Sequence, residues 1–467
     1  MDLQAKETNA FAFADLNVGP APQLPLDVYR KRRRLLARRL GEGHVLVVAT
    51  HTPKQYSNDV EYLYRPHSDF WYLTGFDEPR AVLVLHGGSG ATDLFVQPRR
   101  KEAEIWTGRR LGVDRAPSTL GVDRAHSFDD LTAKLPAMLG KAKVHAVADH
   151  DAAVRRRIVR AAGNRLLPNP VAVKVGGPES ALLRGKRAPT TNHGRDLLHE
   201  MRLIKEPEEL RLLKAACDLG VQAHLDAAAR IKPGGREAAV EAAFAAHARS
   251  AGSTGVGYPS ICGCGPNAAI LHYVTNRDRL RKGGLFLIDA GCEWGWYTSD
   301  ITRTYPVGGA FSRMQGDVYD LVAAAQKAAM REVQPGKPFR APHLKAVDVI
   351  TAGLLDRGLL DGSFEHALKE QTYRRFFMHG TSHWLGLDVH DAGSPNGADG
   401  KPRVLQEGMC LTVEPGLYFN PDFSDCPPKT VGIGVRIEDD LVVTGDGHRN
   451  LTRRLPVERD AVADLVR

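Results

Sequence analysis

The chain has 467 residues, 43% of them hydrophobic and 25% charged, and carries a formal net charge of +8. Its length exceeds the roughly 250–300 residues that one hydrophobic core supports, so two domains are expected. The composition is that of a globular protein, and no segment reaches the roughly 18 apolar residues of a membrane span, so no membrane-spanning helix is expected.

Residues 1–25 are polar, proline-bearing and aperiodic, and read as a flexible N-terminal extension. Acidic residues stand early in it and no apolar run follows, so it is not a secretory signal. The positive charge concentrates in RKRRRLLARR, Arg30 to Arg39. Leucines recur there at helical spacing, which predicts an amphipathic surface helix with a solvated basic face, and no aromatic interleaving supports nucleic-acid binding. Six cysteines, Cys217, Cys262, Cys264, Cys292, Cys410 and Cys426, form no CxxC pair. They read as buried thiols of a reducing cytoplasm, not as a disulfide framework or a zinc ribbon.

Residues 26–195 alternate short apolar runs with helical patterns. HVLVVAT, AVLVLHG and DLFVQP predict strands, FDDLTAKLPAMLG and AAVRRRIVRAAG predict helices, and together they make an α/β domain. Asp59 in SNDVEYLYR and Trp106 in EIWTGRR have plain structural readings, a turn carboxylate and a core aromatic.

The boundary falls near His193 to Ile204. Pro207 then opens a long helix that ends at a Pro-Gly-Gly stop, and REAAVEAAFAAHARSAG supplies a second. Two more helices, near Met314 to Val333 and Pro342 to Arg357, separate two sets of strands. Residues 196–467 are therefore expected to be an α+β domain whose halves repeat a helix pair, strands and carboxylates about a curved central sheet.

The chemistry concentrates in that domain. LFLIDAGCEWGWYTSDITRTY brings Asp289 to a strand end and, after a glycine-containing turn, Asp300 to the next strand. An unpaired buried carboxylate is costly and two facing ones are worse, so a cation between them is expected. Further candidates follow: His379, His383 and His390 in FMHGTSHWLGLDVHDAG, Glu414 in CLTVEPGLY, and Glu438 at the centre of the strand GIGVRIEDDLVV. Period two places Gly434, Arg436 and Glu438 on one face of that strand. Four acidic residues with an imidazole and no cysteine suit two divalent ions, Mn²⁺ ahead of Co²⁺ or Zn²⁺.

Other chemistries fall away. His379 and His383 are spaced like a zincin pair, but Gly380 stands where that motif needs its glutamate. There is no GxSxG elbow, and GCGPN, Gly263 to Asn267, lacks the lysine of a phosphate loop.

The ordered motifs IDAG, SDITRTYPV, HGTSHWLGLDVHD, VEPGLY and RIEDD, with SNDVEYLYRPHSDFWYLTGFDEP and EIWTGRRLGVDRAP upstream, resemble the pita-bread metallopeptidases, the Xaa-Pro aminopeptidases among them most closely. The resemblance runs from about Leu26 onward. It implies Asp289, Asp300, His383, Glu414 and Glu438 as ligands of two metals, with Asp300 and Glu438 bridging, Asp289 on one ion, and His383 and Glu414 on the other. It implies substrate or transition-state contacts for His272, His379 and His390, and a proton relay and substrate wall from Asp59 and Trp106 with Arg436. Water acidified by the metals would attack the carbonyl before proline, Glu414 would carry the proton, and His390 and His272 would steady the developing oxyanion. The expected substrates are peptides with proline second, the expected assembly a homodimer or homotetramer. An Xaa-Pro dipeptidase shares fold and ligands; a non-catalytic pita-bread binding protein and a creatinase-like amidinohydrolase fit less well, because no ligand is missing.

Overall fold

The computed structural model describes residues 24–168, 193–397, 400–422 and 425–467, so residues 1–23 of the expected extension lie outside the described residues. Two compact units result, one of residues 24–208 with 391–405, the other of residues 209–390 with 406–467. Among the described residues no helix is long and apolar enough to cross a membrane.

The N-terminal unit is built on strands β1 (His44–Ala49), β2 (Gln55–Ser57), β3 (Val60–Glu61), β4 (Val82–His86), β5 (Thr92–Val96), β6 (Arg124–Ser127) and β7 (Lys143–Val147). Five of them form a mixed sheet in the order β6-β5-β4-β1-β7. Val45, Val47 and Ala49 pack on Leu131, Leu135 and Ile158 of the helices Leu131–Leu139 and Ala152–Ala162, while Leu46 and Val48 are buried on the opposite face. Burial on both sides is why these strands are unbroken apolar runs in place of alternating ones.

The basic helix, Leu26–Leu40, departs from its expected solvated face. Arg32 and Arg33 are 1% and 2% exposed. Arg33 donates to the carbonyls of Leu73, at 2.7 Å, and of Leu120 and Gly121, which close the helices Ser68–Thr74 and Ala116–Leu120. Helix C-termini leave unpaired carbonyls and partial negative charge, so a guanidinium seated there is satisfied without solvent. Burial and the neighbouring Arg30 pull its pKa down to about 10, which leaves it charged at neutral pH. Arg32 lies 3.9 Å over the Tyr72 ring and donates to Glu206 at 3.0 Å. Two residues read as part of a solvated face are therefore interior fasteners.

The helix Pro207–Ala228, which lies in the C-terminal unit from Glu209 onward, begins at the expected proline, and Glu237–Ser250 follows. Strands β8 (Gly255–Val256), β9 (Ile261–Cys264), β10 (Leu285–Ala290), β11 (Cys292–Trp294), β12 (Tyr297–Thr298) and β13 (Ile301–Pro306) come next. Sheet order is β13-β10-β9, antiparallel throughout. A second helix pair, Arg313–Met330 and Ala341–Asp356, precedes β14 (Cys410–Val413), β15 (Gly416–Tyr418), β16 (Gly434–Arg436), β17 (Asp439–Thr444) and β18 (Gly447–Asn450). The first of that pair starts on a reciprocal capping box between Ser312 and Gln315. Each half of the unit thus supplies a helix pair and an antiparallel sheet, as expected of the pita-bread arrangement.

Glu438 is not at a strand centre. It falls between β16, which pairs with β15, and β17, which pairs with β14, and its own bridge is to Thr302 of β13. The chain changes partners there, and that change lays the second half's carboxylate against the first half's strand. Of the six cysteines, five are buried and Cys426 is half-buried, and none is joined in a disulfide.

Candidate metal centre

Asp289 pairs with Thr302 across β10 and β13, so both lie on one face of the sheet, and period two adds Asp300 to that face. Gly291 makes the approach possible, since a Cβ there would stand 1.8 Å from the Ser299 carbonyl. The Asp300 amide donates to Asp440 Oδ2 at 2.9 Å, fixing the entry to β13. On the opposite face Arg303, 0% exposed, donates to the Glu438 carbonyl at 2.6 Å and to Asp439 at 2.8 Å, which ties β13 to the junction carrying Glu438.

All five expected ligands converge. His383 Nε2 lies 3.2 Å from Asp300 Oδ2 and 3.5 Å from Glu414 Oε1, and donor atoms of Asp300, His383 and Glu438 lie within 4.8 Å of one another. Arg436 Nη2 donates to Asp289 Oδ2 at 2.6 Å. Thr302 Oγ1 donates to Glu438 Oε2 at 2.6 Å and accepts from Arg436 Nε at 3.2 Å. Tyr258 sits between the first two carboxylates: its hydroxyl donates to Asp289 Oδ1 at 2.5 Å and also contacts Asp300 Oδ1.

The electrostatics show a shortage of positive charge. Burial raises Glu414 to about 7, Glu438 well above its ordinary value and Asp300 above its own, with neighbouring carboxylates adding to it. Burial works against a charged His383, yet the hydrogen bond to Asp300 and the charge of Glu414 raise it to about 9. Its Nδ1 donates to the Trp384 carbonyl at 3.1 Å, which turns Nε2 toward the carboxylates. That orientation is what a metal-ligating imidazole requires, and a proton on Nε2 is the cation's poor substitute. Four carboxylates facing one arginine and one imidazole are the donor set of hard or borderline divalent ions.

Around this cluster His379 Nε2 accepts from the Tyr418 hydroxyl at 2.8 Å, which in turn accepts from Arg436 Nη1 at 2.9 Å. His379 Nδ1 donates to the Gly380 carbonyl and lies 3.8 Å from Glu414 Oε2. Burial, then Arg436, holds this imidazole neutral, with a pKa of about 3. His390 packs edge-on against His383 with ring centroids 4.4 Å apart, and the charge on His383 holds it to about 3. His272 is exposed on the loop after the short turn Gly265–Ala269.

The remaining expected residues belong to the N-terminal unit. Asp59 is an exposed carboxylate in the tight turn between β2 and β3, as its plain reading held. Trp106 is 87% exposed on the helix Lys101–Thr107, so it is not a core aromatic. That helix buries none of its residues, which leaves the indole nothing to pack into. Sequence reading missed Tyr258, Thr302, Tyr418 and Asp440. Thr302 was within sight, two residues after Asp300 on the same face; Tyr258 has no motif around it and reaches the cluster only through folding.

A family model described as metallopeptidase family M24 matches residues 211–445, and one described as the aminopeptidase P N-terminal domain matches residues 29–147. The chain is 40% identical over 442 residues to the Xaa-Pro aminopeptidase of Escherichia coli strain K12, which covers 94% of this chain and 97% of that protein. Two solved structures, proline aminopeptidase P II from Yersinia pestis at 39% identity and zinc-substituted E. coli aminopeptidase P in complex with product at 37%, match with TM-scores of 0.85 over 95% of this chain and 99% of each of theirs.

Proposed function

This chain belongs to metallopeptidase family M24, and from that premise we propose that it is an Xaa-Pro aminopeptidase, releasing the N-terminal residue of peptides whose second residue is proline. The observation that carries this is the convergence of four buried carboxylates and the Nε2 of His383 in one cluster, on a chain similar to such enzymes along nearly its whole length. Asp289, Asp300, His383, Glu414 and Glu438 would hold two divalent ions, Mn²⁺ by preference. When bound, these supply Lewis-acid polarisation of the scissile carbonyl and a water acidic enough to attack near neutral pH.

The chain's own residues do the rest. Glu414 takes the proton from the attacking water on a carboxylate oxygen and delivers it to the departing proline nitrogen. His390 and His272 donate to the oxygen that gains charge on the scissile carbonyl. Arg436 holds Asp289 in place and, through Tyr418, fixes His379 with Nδ1 as its donor. Proline's nitrogen carries no hydrogen before cleavage, so a pocket that asks for no N–H there and offers an apolar wall selects it. Asp59 and Trp106 serve as relay and wall in this reading. The enzyme works in the cytoplasm, in keeping with six cysteines that form no disulfide, as a homodimer or homotetramer, on peptides and not on nucleic acid or membranes.

The test is turnover of one Xaa-Pro-Yaa tripeptide beside the matching Xaa-Pro dipeptide, with metal content measured on the same sample. Release of the first residue from the tripeptide is expected; cleavage of the dipeptide alone would make it a dipeptidase.

A further inference from the structure

A second cluster of metal-donor atoms lies within the N-terminal unit. His51 follows β1, His150 follows β7, and His67 precedes the helix Ser68–Thr74. β1 and β7 are adjacent and parallel, so the first two imidazoles leave the same sheet edge side by side. One ring nitrogen from each of the three lies within 4.8 Å of the other two. His67 and His150 stack with centroids 4.1 Å apart, and His51 stands edge-on to both, at 5.2 and 4.6 Å.

The tautomers favour ligation. His51 Nδ1 donates to the Arg65 carbonyl at 3.0 Å, which leaves Nε2 with its lone pair. His150 Nε2 is buried with no hydrogen-bond partner. A backbone carbonyl on one nitrogen is the usual support of an imidazole that binds metal through the other. Burial and the facing His51 keep His150 neutral, with a pKa of about 4, so no proton need leave before a metal arrives. A buried nitrogen lone pair without a donor is otherwise a net cost to the fold.

We propose that His51, His67 and His150 form a three-imidazole site for one borderline first-row divalent ion, Zn²⁺ or Cu²⁺, which clips the ends of β1 and β7 to the start of the helix Ser68–Thr74. Imidazole nitrogens select these ions over Mn²⁺, Mg²⁺ and Ca²⁺. The three histidines are half-buried, which leaves a coordination position for water. Asp69 and Asp151, which act electrostatically on His150, offset part of the added charge. The site is chemically distinct from the carboxylate cluster, where His383 is the only imidazole among the expected ligands.

Cu²⁺ added to the metal-stripped full-length protein provides the probe, because its electron paramagnetic resonance spectrum counts coordinated nitrogens. A component with three nitrogen ligands is expected, and it is lost in both His67→Asn and His150→Gln while peptidase activity with Mn²⁺ is kept. The Zn²⁺ dissociation constant of the same site rises by at least about 10-fold in each variant. A wild-type spectrum with no species beyond a single nitrogen overturns the proposal without any variant, as does a three-nitrogen species that survives both substitutions.

Discussion

Both units bury charge, and they balance it differently. In the N-terminal unit Asp69 meets Arg202 at 2.7 Å and His199 at 3.1 Å, while Asp391 is shared between Arg202 and Lys205. Despite full burial, which pushes it up, Asp69 is held well below the usual carboxylate range by His199 and Arg202. In the C-terminal unit Asp300, Glu414 and Glu438 all move the other way. Charge matched in place makes a fastener, whereas charge left unmatched makes a binding site whose missing term arrives with the ligand.

The largest effect expected from breaking that contrast is at Glu414. Glu414→Gln keeps the shape but cannot accept the proton, so kcat/KM on an Xaa-Pro tripeptide should fall by about 10²–10⁴-fold. Loss of less than tenfold would remove Glu414 from the proton path. Exhaustive chelation should abolish turnover and lower the thermal midpoint, and readdition of Mn²⁺ at about 100 times its dissociation constant should return about 2.7 kcal/mol of stability. Calorimetry beside activity measures both, and activity that survives complete metal removal would contradict the unmatched-charge reading.

On the matched side, Arg202→Met takes one cationic partner from each of two buried carboxylates, leaving His199 on Asp69 and Lys205 on Asp391, and should destabilise the protein by about 3 kcal/mol in denaturant titration. The fall should appear with metal present or absent, unlike that of the chelated wild type.

Acidification of the metal-free protein should act in opposite directions on the buried histidines of both units and on the carboxylates of the cluster. Burial lowers His145 and His193 to about 4, below the ordinary imidazole value of 6.5. Unfolding there takes up protons, so their contribution is whole above pH 6.5 and drains away as pH falls toward 4. Glu414, raised to about 7 from 4.5, binds its proton more tightly when folded, so its contribution grows as pH falls from 7 toward 4.5. Hydrogen-exchange protection followed by mass spectrometry on wild type beside Glu414→Gln separates the two; a pH trend in the C-terminal unit left unchanged by the substitution would refute the assignment.

The smallest stability effect is expected at Trp106. An 87% exposed side chain should cost under about 0.5 kcal/mol on replacement by alanine, so a drop in kcat/KM for Trp106→Ala would report a role toward substrate and no change would leave it none.

The motifs made the catalytic unit legible before any coordinates. Asp289 and Asp300 could be placed on one face because strand period and a short turn are local properties, and Pro207 announced its helix because a proline's fixed φ suits that position alone. The N-terminal strands were equally plain from their apolar runs. Helical spacing could not show that Arg32 and Arg33 would turn inward, since the carbonyls that receive them end at Leu73, Leu120 and Gly121, far along the chain. The isolated position of Trp106 was hidden in the same way.

What the residues determined by themselves was the donor chemistry and the fold class, both written in local patterns of charge and polarity. Tertiary structure alone decided that Glu438 leaves its strand to bridge Thr302, that Tyr258 lies between two aspartates, and that three scattered histidines meet beyond β1 and β7. Each is a contact between segments far apart in sequence, fixed by the packing of sheets and helices, and neither spacing nor composition carries that information.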